Sequence, residues 1–185
     1  MKYRLNTLAA LTAAVTVALS CSVASAAVDE AKLVYKQAQD NAAAAYKVAR
    51  ARCDAIAGNP KEVCVAEAKA ARVRTEQEAE AYYKNTLKAY TASRMKIAEA
   101  NYDLDKAKCG AFAGNEKDVC ISQAKATLVA TEADAKADKK AMEARADARE
   151  DKRTAEYKVA REKCDAFAGA AKDSCMSAAK AQYGK

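Results

Sequence analysis

The chain has 185 residues, a formal net charge of +7, no histidine, no tryptophan, one proline and five glycines. Without an imidazole, Ser–His and Cys–His catalysis lack their base, and histidine-held zinc, copper, iron or haem is excluded. So few glycines and prolines cannot punctuate a many-stranded sheet, whereas alanine, about a quarter of the chain, is the strongest helix former, so an all-α fold is predicted.

The first 26 residues read as a secretory signal. Lys2 and Arg4 are followed by an uncharged run from Leu8 to Leu19, and Ala24-Ser25-Ala26 supplies the small residues that a signal peptidase reads. The apolar run is too short to span a bilayer, and no later segment is long and apolar enough. A minority alternative is lipidation at Cys21, for which Leu19 stands one residue too close to the cysteine. Cleavage after Ala26 lowers the net charge by two and removes one cysteine of seven. The remaining Cys53, Cys64, Cys109, Cys120, Cys164 and Cys175 form an even set, as disulfides in an oxidising compartment require.

Residues 27–185 are predicted to form one helical domain built on three copies of a unit. Tyr46–Ala70 reads YKVARARCDAIAGNPKEVCVAEAKA, Tyr102–Ala126 reads YDLDKAKCGAFAGNEKDVCISQAKA, and Tyr157–Ala181 reads YKVAREKCDAFAGAAKDSCMSAAKA. A fixed period signals a repeated supersecondary element. Each unit places two cysteines symmetrically about Gly58, Gly114 or Gly169, residues suited to the left-handed position that ends a helix. The reading is a helical hairpin stapled by Cys53–Cys64, Cys109–Cys120 and Cys164–Cys175. Asn59, Pro60 and Glu62 are expected to cap the helix after the first corner, and Asn115 with Asp118 the helix after the second.

Between corners there is neither glycine nor proline from Lys61 to Lys108, nor from Asn115 to Ala168. Two helices of about 50 residues are therefore expected. Tyr83, Leu87, Tyr90, Ile97 and Leu104 make a heptad-like apolar stripe on the first. The second is highly charged from Glu132 to Arg153, where a break is the alternative. With a first helix from about Val28 to Ile56, corners one and three would lie at one end and corner two at the other. The expected shape is an elongated, coiled-coil-like bundle of antiparallel hairpins, a four-helix section thinning to two.

The repeated unit behind a signal peptide resembles a group of alanine- and lysine-rich secreted proteins of proteobacteria labelled TolA-like cell-envelope proteins. The likeness covers nearly all of residues 27–185; to TolA itself it is compositional. It implies the periplasm of a Gram-negative cell and carries no catalytic residues to transfer.

Candidate sites follow from charge and aromatics. Arg72, Arg74, Lys88, Arg94 and Lys96 would place five bases on one helix, with Tyr82, Tyr83 and Tyr90 among them; Glu76, Glu78 and Glu80 offset part of that field. An anionic envelope surface or an acidic protein partner would suit it. Nucleic acid is disfavoured for want of any recognised motif. No cofactor is expected, and the carboxylates lie on charged helix faces rather than in apolar settings that would raise their pKa. The expected function is non-enzymatic, a structural or interaction role in the cell envelope. The alternatives are a holdase for unfolded clients and, behind it, a thiol redox or soft-metal protein.

Overall fold

The structure, a computed structural model, describes residues 22–185, with side chains from Glu30 onward. The signal up to and including Cys21 lies outside the described residues. The described chain is helical throughout: α1 (Ser22–Arg52), α2 (Gly58–Lys84), α3 (Leu87–Cys109), α4 (Gly114–Cys164) and α5 (Gly169–Tyr183), with a single 3-10 turn at Cys53–Ala55. None of these helices is long and apolar enough to cross a membrane.

The three corners are built alike. After the first cysteine the chain makes a tight turn, one alanine is extended (Ala57, Ala113 or Ala168), and a glycine follows with φ of 64°, 53° or 55°. A Cβ would be strained at that φ, which is why each unit keeps glycine there. The predicted disulfides are present, with Cα–Cα distances of 5.7, 5.6 and 5.6 Å. The expected caps are not. The N-cap positions are Ala57 and Ala113, neither with a side-chain cap bond. Asn59 is used elsewhere: its Nδ2 donates to the Ala107 carbonyl at 2.7 Å, at the frayed end of α3.

That bond marks the main departure from expectation. Corners one and two lie side by side at one end, and corner three stands alone at the far end of α4. The stretch from Lys61 to Lys108 is not one helix. It turns back at Asn85, the one non-glycine residue with positive φ (42°) among the described residues, and restarts at Thr86, whose Oγ1 accepts from the Ala89 amide at 3.1 Å. Asparagine tolerates the left-handed conformation and threonine is a favoured N-cap, so the pair ends one helix and starts the next without glycine or proline. α2 and α3 therefore form a hairpin, with Lys69–Asp103 and Lys96–Glu80 ion pairs across it. The stripe from Tyr83 to Leu104 is interrupted by the turn. By contrast α4 runs unbroken for 51 residues, about 76 Å, through the charged segment where a break was the alternative.

Each helix packs only on its neighbours in the chain: α1 on α2, α2 on α3, α3 on the first half of α4, and α5 on its last turns. The four-helix section is thus α1, α2, α3 and the start of α4, laid in a row. The two-helix section is the end of α4 with α5. Between them every residue from 140 to 149 is exposed.

A single layer buries at most two narrow seams per helix, one for α1 and α5, and no central core. The buried side chains are alanines, Ser93, Leu128 and cysteines, and only Cys53, Cys109 and Cys164 are large among those wholly buried. Alanine seams let helices approach closely but remove little apolar area from water. The disulfides carry a correspondingly large share. Each closes a loop of about a dozen residues, worth about 3 kcal/mol by the chain-entropy argument.

Candidate interaction surface

The turn at Asn85–Thr86 divides the predicted basic surface. Arg72, Arg74, Tyr82 and Tyr83 belong to α2, and Lys88, Tyr90, Arg94 and Lys96 to α3, so the five bases do not share one helix. Three of them are neutralised locally. Arg72 Nε donates to Glu76 Oε1 at 2.6 Å, and its guanidinium lies 5.4 Å above the Tyr46 ring. Arg94 bonds Asp138 of α4 at 2.6 Å, and Lys96 lies 3.9 Å from Glu80. Arg74 and Lys88 have no ion-pair partner among the described residues. The expected field is accordingly weak.

The hairpin does bring the tyrosines together at its tip. Tyr83 stacks on Tyr35 of α1, with centroids 4.9 Å apart and planes at 12°. The Tyr90 hydroxyl reaches Asn85 Oδ1 at 3.5 Å, the limit of a hydrogen bond. Tyr82 is 70% exposed, and Val34 of α1 and Met142 of α4 are exposed as well; Leu33, two residues before Tyr35 and so on the opposite side of α1, is 69% exposed. Met142 is seven residues past buried Ala135, hence on the side of α4 that carries α3. Tyr35, Leu33 and Val34 were not among the predicted residues. The signal that would have found Tyr35 is corner one itself: residues nearly equidistant from the Cys53–Cys64 bridge face each other across α1 and α2, which sets Tyr35 beside Tyr83.

Tyr102 and Tyr157 pack within the corners. Tyr102 takes Lys106 and Lys125 over its ring at 4.6 and 5.3 Å, and Tyr157 takes Arg161 at 5.8 Å while leaning on Tyr183. Open grooves run beside two of the disulfides. One of about 660 Å³ is lined by Phe112, Val119 and Cys120; one of about 640 Å³ by Val159, Cys175 and Tyr183.

Ionisation follows the ion pairs. Arg50 and then Lys61 hold Asp54 below its ordinary range; Lys172 does the same for Asp165, and Lys84 for Glu80. At Asp103 burial pulls upward most strongly, but Lys106 and Lys69 together outweigh it. Glu150 is held down to about 2 by Lys185 and Arg153. Every displaced carboxylate among the described residues is thus shifted toward permanent charge, the reverse of what an acid catalyst needs.

No protein-family model, curated protein or solved structure matches the chain.

Proposed function

We propose that this is a non-enzymatic interaction protein of the bacterial envelope, working in the periplasm after removal of its signal, and that it engages partners through the aromatic tip of the α2–α3 hairpin. The observation that carries the reading is the tip itself: Val34, Tyr82 and Tyr90 are exposed on the helices that flank the Tyr35–Tyr83 stack. Exposed apolar clusters of this kind mark contact sites, and tyrosine supplies contact area at low entropic cost. The three disulfides support an oxidising compartment outside the cytoplasm. The open, single-layer architecture supports binding over turnover, since it displays side chains rather than enclosing them.

A photo-crosslinking residue at Tyr82 in intact cells should yield discrete adducts with envelope components, and the same residue at Arg74 should not. Equal labelling from both positions, or none from Tyr82, would reject the tip as the contact. The holdase reading has one observation in its favour, the same exposed apolar cluster. It predicts suppression of aggregation of a reduced, unfolded client, lost in Tyr82→Ser/Tyr90→Ser. The redox reading is weakened because all six cysteines of the described chain are bridged, three of them deeply buried.

A further inference from the structure

The repeat extends beyond the cysteine corners. The 56-residue offset relating the first two corners also aligns α2 with the first half of α4, without a gap: VAEAKAARVRTEQEAEAYYK (residues 65–84) against ISQAKATLVATEADAKADKK (residues 121–140). Counted back from the next cysteine, α3 aligns with residues 142–164. The two connectors are the same element with opposite outcomes. Where the first has Asn85-Thr86 and folds into a hairpin, the second is one residue shorter, with Ala141 alone before Met142 in the place of Leu87; both are good helix formers with no capping side chain, and the helix continues straight.

The consequence is a seam left unmade. Ala70 and Ala81 of α2, and Ser93 and Ala100 of α3, are buried where these helices meet. Their counterparts on α4, Ala126, Ala137, Ala148 and Ala155, are all exposed. Val129, the counterpart of half-buried Val73, is 54% exposed, and Val159, the counterpart of half-buried Leu104, is 55% exposed. At 100° per residue these positions fall along one side of α4, turned away from the side that carries α3, with Ala155 and Val159 also lining the groove beside α5. One helix thus bears both halves of the α2–α3 seam, one on either side of its midpoint.

We propose that two copies of this chain pair antiparallel through α4, about a two-fold axis near Ala141–Met142. The first half of one α4 then packs on the second half of the other, in the manner of α2 on α3. The occupant is a second copy because the chain already shows what covers this face: the unit that follows it. A straight connector cannot return that unit to its own chain, but it presents it to another. This is the logic of domain swapping, and the contact is isologous and closed. Charge agrees at one place and opposes at another. Lys136 and Asp151 stand where Glu80 and Lys96 pair, with signs exchanged, whereas Lys125 and Lys158 stand where Lys69 and Asp103 pair. The pairing uses the side of α4 turned away from α3 and does not depend on the proposed function.

The experiment is sedimentation velocity on the oxidised chain without its signal, across a concentration series. A dimer is expected, with Val129→Glu raising the dissociation constant at least about tenfold, because it buries a charge in each of two seams. Val129 is exposed in the single chain, so helicity by circular dichroism should be unchanged. Lys158→Asp should tighten the dimer by restoring the acidic partner. Ala141→Asn/Met142→Thr should install the missing turn and give a monomer that has covered its own seam. A wild-type chain that stays monomeric up to about 100 µM, or a dimer indifferent to both Val129→Glu and Lys158→Asp, would overturn the proposal.

Discussion

Gly110 is the residue at which the three units differ most informatively. Units one and three have aspartate after the first cysteine: Asp54 pairs with Arg50 and Lys61, and Asp165 pairs with Lys172. Unit two has glycine with an ordinary helical φ of −62°, so its backbone does not require it. Space does: a Cβ there would stand 2.2 Å from Asn59 Nδ2, the group that ties corner one to the Ala107 carbonyl. Gly110→Ala should displace Asn59 and cost about 1 kcal/mol, the worth of one hydrogen bond. In a double-mutant cycle followed by urea unfolding, Asn59→Ala should add little to it. Glu150 offers a second residue-scale test. Its pKa is lowered from 4.5 to about 2 by Lys185 and then Arg153, so the tie from Glu150 to Lys185 is complete above pH 4.5 and is lost as pH falls through about 2. The Tyr183 amide should gain hydrogen-exchange rate in that window, relative to intrinsic rates, and Glu150→Gln should remove the pH dependence.

At the scale of elements, two residues decide whether a 50-residue stretch is one helix or two. Asn85 supplies the left-handed residue and Thr86 the cap, but neither could hold the turn without the seam behind it. Thr86→Ala should cost about 1 kcal/mol and leave the hairpin closed, as read by thermal unfolding and by the retained Tyr35–Tyr83 contact in NMR spectra. The straight connector obeys the same physics with the opposite residues. Around its exposed segment, Lys136–Glu132, Lys139–Glu143 and Arg153–Glu150 hold the helix by pairs one turn apart. α5 is the weakest element. It has 15 residues, near the length at which a lone helix is marginal, and packs on one neighbour only. On graded reduction its disulfide, Cys164–Cys175, should open first and α5 should lose exchange protection before α2 or α4. Alkylation with mass spectrometry reads the order; simultaneous opening of all three bridges would contradict it.

For the whole molecule, a row of helices replaces a core. A compact domain of this length has a radius of gyration near 16 Å. With α4 alone spanning about 76 Å, small-angle scattering should give a longest dimension well above that of such a globule. A near-spherical profile would mean that α4 bends in solution. The shape also sets how stability is distributed. Corners one and two brace each other through Asn59, while corner three relies on its disulfide and on the ends of α4 and α5.

The helical class, the three corners and the cysteine pairing were legible in the sequence because each is local: ten residues between cysteines, a glycine at the left-handed position, and alanine-rich flanks. The course of the two connectors was not. Reading only glycine and proline as breakers hid the Asn85–Thr86 turn, and with it the pairing of corners one and two and the split of the basic residues between two helices. Local propensity is nearly the same for a bent and a straight connector. What separates them is a capping pair worth one or two kcal/mol together with the seam its turn allows to form. Only the tertiary structure showed that the first connector folds onto itself, burying Ala81, and that the second leaves the equivalent Ala137 in water.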